Sequence, residues 1–404
     1  MKWLSFPFLA LVSAPAWAQL PNAVTFSELL RIVETSPRVA VSQREADMAR
    51  AEREAAGKLP NPTLSLGRST PSGGDRTIFD GSSQQQATLD LPVPIFGQRG
   101  ARVRAADLQV GRAESQVRLT VAETRRLAGL EFVRLMAAQE QLAARRAALG
   151  DVERIRGLVA GRQETGMASR YDLARADAEL SLARLGLQRA LNEVNEHAAA
   201  IGALADTPAW RPQPAGTLVG LNAELGEGDA DLAGNPALRA ARDETAAAEA
   251  RVEVARRERF PVPSLQLGRT WTSGPFGAAN FVGVASEIPI LDSRRAQQDR
   301  ARAEHAATRE RERVLSASLN SEFEKQRQAL ALRREAFARF EREVFERQSA
   351  FLEMAESAYR LGRGTLFELL DARRTQLEAT LARAELLSSI VEAQLELRSL
   401  AGAL

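Results

Sequence analysis

Apolar positions along this chain follow two different periods. Over residues 98–161 and again over 293–361 they recur at helical spacing, and neither stretch contains a proline. Val103, Ala106, Val110, Ala113 and Val117 step 3-4-3-4, and Leu377, Leu381, Ala384, Ser388, Val391 and Leu395 do the same further on. That spacing predicts helices packed as coiled coil, and the interleaved Ala and Ser let neighbouring helices approach closely. Around Leu64 and Leu66, and around Leu265 and Leu267, the period drops to two, the mark of a strand with one apolar face. Each strand meets a Gly/Ser/Pro-rich turn and a returning strand that stops at Pro94 or Pro289, so two β-hairpins are expected, over 62–93 and 263–289.

These elements are written twice. Leu59-Pro-Asn-Pro-Thr-Leu-Ser-Leu-Gly67 returns as Phe260-Pro-Val-Pro-Ser-Leu-Gln-Leu-Gly268. Val93-Pro-Ile-Phe-Gly-Gln-Arg99 returns as Ile288-Pro-Ile-Leu-Asp-Ser-Arg294. Gly166-Met-Ala-Ser-Arg-Tyr-Asp-Leu173 returns as Gly362-Arg-Gly-Thr-Leu-Phe-Glu-Leu369. The offsets are 201, 195 and 196 in the same order, so the match is collinear. The predicted division is a first repeat over 19–206, a linker over 207–234 and a second repeat over 235–404. Each repeat holds a short helix (37–58; 235–259), a hairpin, a long helix (98–161; 293–361) and a closing helix (168–204; 365–402). The long helices would measure roughly 96 and 103 Å. A short helix and a closing helix end to end roughly equal one long helix, so the pair can lie along its whole length.

Composition narrows the function. Residues 1–18 read as a secretory signal: Lys2, an apolar run too short to span a bilayer, then Ala16-Trp17-Ala18 as cleavage pattern. The mature chain is expected to start at Gln19. With no Cys there is no disulfide, thiolate metal site or lipidated N-terminus, and the two histidines, His197 and His305, exclude a histidine-rich metal site within one chain. A net charge of +2 is too balanced for a nucleic-acid footprint. Phosphate loop, nucleophile elbow and His-Glu zinc spacing are all missing, so neither enzyme activity nor a cofactor is expected.

The duplicated unit, the proline-bounded hairpins, the long and short helices and the Gly-x-x-[Ser/Thr]-x-x-[Asp/Glu]-Leu turn together resemble the TolC-like outer-membrane efflux family, over nearly all of 25–402. The resemblance implies a mainly α fold with a small β part. A homotrimer would close four strands per chain into a twelve-stranded outer-membrane barrel, continuing into a periplasmic α-barrel. The implied role is the exit duct of a tripartite pump, passive, with a periplasmic adaptor and an inner-membrane transporter of the RND type as partners. The Leu-Pro-Asn-Pro and Pro-Ile-Phe-Gly-Gln-Arg segments look most like the heavy-metal (cobalt–zinc–cadmium type) branch.

The resemblance also assigns roles. Glu368 and Asp371, three apart on one helical face, match acids that ring the closed periplasmic end of the tube. Asp172 and Tyr359 match a latch that holds this end shut, but the arginine of that latch is Gly364 here, with Arg363 beside it. Gly166, Met167, Leu361, Gly362 and Arg363 match the tips that meet the adaptor. The plainer reading of Glu368 and Asp172 is helix capping, three residues after Thr365 and Ser169. Arg68 and Arg269 share the leucine parity of their strands and should lie near the outer rim, since an arginine at the lipid midplane is costly. Two other readings stay open: the outer duct of a protein-secretion system, and a soluble periplasmic coiled-coil scaffold or adaptor.

Overall fold

The computed structural model describes residues 20–70, 83–226, 232–273 and 277–404. The expected signal segment and the cleavage site before Gln19 lie outside them. The two hairpins form a single antiparallel sheet from β2 (Thr63–Ser69), β3 (Gln84–Pro92), β5 (Ser264–Thr272) and β6 (Ala278–Ala285), in the order β2-β3-β5-β6. The register sets Leu64, Leu89, Leu267 and Val282 in one row and Leu91, Leu265 and Val284 in the next. Alternation carries every member of these rows to the same face. Thr88, Asp90, Gln266 and Gly268 lie on the other, where Asp90 accepts from Gln266 Nε2 at 2.9 Å and from Ser264 Oγ at 3.1 Å. One face is therefore apolar and the other mainly polar, with Phe281 opposite Gly268, and among the described residues the outer edges of β2 and β6 have no strand beside them. Arg269 and Arg68 follow the leucine rows toward the turns, where the Arg269 guanidinium lies 5.6 Å from the Trp271 ring. No helix among the described residues is long and apolar enough to cross a membrane.

The helices begin where the strands end. α3 (Gln98–Glu164) is the axis of the first half, 67 residues long. α2 (Pro37–Ala56) lies on its first part through Arg53–Asp107 and Arg50–Glu114, and α4 (Arg170–Leu204) on its later part through Arg156–Asp177. Across α3 lie α6 (Pro236–Arg257), joined by the Arg112–Glu244 pair, and α9 (Leu366–Ala401), joined by Arg126–Glu396. The partner axis of the second half is not continuous. α7 (Arg295–Phe340) passes through a π-turn over Glu341–Phe345 into α8 (Glu346–Arg360). One unbroken helix is expected over 293–361. The interruption sits where Arg383 of α9 binds Glu341 at 3.0 Å between the rings of Phe337 and Phe345. The widened turn is thus held by a tertiary contact.

Residues 207–234 are not a bare linker. β4 (Gln213–Pro214) pairs in parallel with β1 (Ala23–Val24), and α5 (Leu218–Leu225) follows. Together with α1 (Phe26–Val33) they wrap the middle of α3. Val24, Leu29, Val33, Trp210, Leu218, Leu221 and Leu225 close there on Phe132, Val133 and Leu135, and on Leu387, Val391 and Leu395 of α9. The main core is therefore equatorial. Burial of leucine- and phenylalanine-sized side chains, at about 1.5–3 kcal/mol each, holds the girdle to the coiled coil. A second, smaller core lies at the tips: Ile155, Val159, Tyr359, Leu366, Leu369 and Leu370.

Candidate functional site at the helical tips

At the end farthest from the sheet the chain makes two tight turns of the same geometry. After α3, Gly166 takes φ 75° and the N–H groups of Met167 and Ala168 return to the Arg162 carbonyl at 2.7 and 3.2 Å. After α8, Gly362 takes φ 70° and the N–H groups of Arg363 and Gly364 return to the Ala358 carbonyl at 2.9 and 3.0 Å. A left-handed residue must end each helix, and glycine adopts that conformation without strain. Met167 and Leu361 stand out from the turns, exposed.

Each turn hands the chain to a capping box. Asp172 Oδ2 accepts from the Ser169 N–H at 3.0 Å and from Ser169 Oγ at 2.7 Å, and the Asp172 N–H donates to that hydroxyl. Glu368 Oε2 accepts from the Thr365 N–H at 2.8 Å, and the Glu368 N–H donates to Thr365 Oγ1 at 3.2 Å. Asp172 and Glu368 are equivalent by the repeat offset of 196 and share the two backbone bonds of the capping box. Asp371, one turn later, caps nothing. It is exposed and makes no hydrogen bond among the described residues. Beside it Arg374 binds both oxygens of Glu179 at 3.1 Å. That bond, with lesser help from the charges of Glu179, Glu378 and Asp371, pushes the Arg374 pKa above its ordinary value.

Asp172 and Tyr359 are not brought together: no hydrogen bond joins them among the described residues. Tyr359 is buried in the tip core, and its ring lies 4.5 Å under the guanidinium of Arg162. Arg162 also makes long contacts of 3.4 Å to the carbonyls of Tyr359 and Arg360. This arginine, absent from the sequence reading, ties the α3 tip to the α8 tip. Its repeat counterpart is Ala358, so comparing the halves hides it. Gly364 is also explained. A Cβ there would stand 3.0 Å from the Ala358 Cβ and 3.2 Å from main chain, so a side chain such as the arginine expected by resemblance would require the turn to give by a few tenths of an ångström. Next to it, Arg175 covers the Phe367 ring at 4.7 Å. No group of three His, Asp or Glu among the described residues is arranged to hold a metal ion.

The described residues thus form an apolar-faced sheet at one end, a long helical part, and two tight turns at the other, each followed by a capping acid. The family model for outer membrane efflux proteins matches residues 30–205 and 229–403. The chain belongs to that family, and so to the bacterial outer membrane, with a long periplasmic helical part. A comparison with curated proteins gave no match. Among solved structures the chain resembles CusC at TM-score 0.78 and 17% identity, covering 93% of this chain and 91% of that one. It resembles the Campylobacter jejuni CmeC outer membrane channel at 0.77 and 15%, covering 94% and 86%. VceC from Vibrio cholerae gives 0.74 and 18%, covering 93% and 96%. These likenesses show a common fold.

Proposed function

We propose that three copies of this chain form the exit duct of a tripartite efflux pump. The observation that carries the reading is the sheet: among the described residues it has four strands, one apolar face, and two outer edges without partners. An open edge cannot stay unpaired in lipid. Three copies supply twelve strands, enough for a closed barrel of the outer-membrane kind. The tube below would then end at the paired tips, where Met167, Leu361 and Arg363 on the Gly166 and Gly362 turns offer a surface for a periplasmic adaptor. An inner-membrane transporter of the RND type would complete the pump. Heavy-metal cations are the proposed cargo, by resemblance to that branch and because the tip acids favour cations.

Mass measurement of the purified protein in detergent tests the assembly; a stable membrane-inserted monomer would be incompatible with it. The gate has its own test, because the two proposed ring acids differ in bonding. Asp371 caps nothing, so Asp371→Asn should lower cation preference in planar bilayers and leave thermal stability unchanged. Glu368→Ala should lower cation preference and also destabilise α9, by about 0.3–1 kcal/mol through the lost capping and dipole terms. If neither variant shifts the reversal potential, the acids are outside the conduction path. For the latch, Arg162 rather than Asp172 is the group on Tyr359. Arg162→Ala should therefore raise conductance more than Asp172→Ala does.

A further inference from the structure

A cavity of about 370 Å³ lies between α3, α4 and α9, away from the tip turns. Its floor is the small-residue stripe Ala144, Ala147, Ala148 and Val152 of α3, and Leu182 and Ala183 of α4 face Leu370 and Leu377 of α9 across it. Five ionic groups stand in its wall: Arg145, Asp151, Glu179, Arg373 and Arg374. Four of them are paired. Arg373 binds Asp151 at 2.7 Å and also Glu356, and Arg374 binds Glu179. Arg145 remains, half-buried and without an acid partner among the described residues. Its guanidinium lies against the α4 backbone at Gly186, where a Cβ would come within 2.7 Å of an Arg145 nitrogen. Glycine in a helix interior is unfavourable, and here it makes room for the cation.

We propose that this cavity binds a soluble amphipathic anion. A carboxylate or sulfonate would pair with Arg145 while an apolar body of about two fused rings covers the alanine floor. A half-buried guanidinium beside apolar walls is a strong anion partner, because little water competes for it. The volume is at the small end of ligand pockets, which sets the size. Arg145 stands roughly 70 Å along α3 from the sheet, so a bilayer lipid is not the occupant. All three walls come from one chain, so each copy carries a complete site. The inference goes beyond the duct reading and does not depend on its cargo.

The test uses the full mature protein in lipid nanodiscs and two probes of one shape: naphthalene-2-sulfonate and the neutral naphthalene-2-sulfonamide. Equilibrium dialysis should give saturable sulfonate binding at one site per chain. Arg145→Gln should weaken it about tenfold or more, the loss expected for one charge-assisted hydrogen bond. Ala148→Phe should abolish it by filling the floor. Arg146→Gln, at the exposed neighbouring arginine, should leave it unchanged, and the sulfonamide should bind weakly to wild type and be indifferent to Arg145→Gln. Equal binding of the two probes, or equal weakening by Arg146→Gln and Arg145→Gln, would overturn the site. So would sulfonate binding unchanged in both Arg145→Gln and Ala148→Phe.

Discussion

Leu267→Arg should remove the protein from heat-modifiable outer-membrane assemblies, while Gln266→Arg, one residue away, should leave them intact. Leu267 lies in the row Leu64–Leu89–Leu267–Val282, whose members are 38–74% exposed in the isolated chain. Exposed apolar side chains lined up on one sheet face need lipid or a partner. A guanidinium at the bilayer midplane costs about 2–4 kcal/mol, and each copy in an assembly would bear that cost. Gln266 points to the polar face and donates to Asp90 at 2.9 Å, so an arginine there gains a carboxylate partner. Arg269 lies on the leucine face without a comparable penalty because it sits nearer the turns, against Trp271. The measurement is the heat-shifted band in outer-membrane fractions. Equal amounts in Leu267→Arg and wild type would mean that this face does not meet lipid.

The sequence made the long elements legible for physical reasons. A proline-free run with 3-4 spacing can only bury its stripe as a helix, and the first such run, expected over 98–161, is the helix Gln98–Glu164. Alternating Leu64/Leu66 and Leu265/Leu267 located both hairpins. The pairing of β3 with β5, which joins the two hairpins into one sheet, depends on tertiary placement and left no local mark. The girdle was missed for a different reason. α1 and α5 have eight residues each, too few for a periodicity to stand out, although Thr25 and Glu28 form a capping box at the first. The π-turn depends on Arg383, and the cover over Tyr359 on Arg162; both act across helices. At the tips, the duplicated Gly-x-x-Ser/Thr turn was readable in sequence. That Asp172 and Glu368 spend their carboxylates on caps while Asp371 does not became visible only with the geometry.

The girdle supplies the second large effect: Gly202→Ala should destabilise the protein by about 1–3 kcal/mol, as overpacking of a close contact does. Gly202 lies in the last turns of α4, where the chain folds back. A Cβ at 202 would stand 2.5 Å from the Trp210 carbonyl oxygen and 2.9 Å from that of Thr207. Both are main-chain atoms, so no side-chain rotation relieves the clash and 207–210 must retreat. That segment is fixed by the Thr207 N–H donating to the Gly202 carbonyl at 2.8 Å and by Trp210 Nε1 donating to the Pro21 carbonyl at 3.1 Å. Retreat draws the buried Trp210 ring away from the equatorial core. Trp210 and Trp271 are the only tryptophans after residue 18, so in a Trp271→Phe background the fluorescence reports Trp210 alone. The expected result is red-shifted emission and a lower unfolding midpoint for Gly202→Ala. Gly111→Ala serves as the control, because a Cβ at 111 meets nothing within 4 Å, and it should stabilise α3 by up to about 1 kcal/mol. Matching stability and emission in Gly202→Ala and the parent would show that the fold-back onto α4 does not hold Trp210 in place.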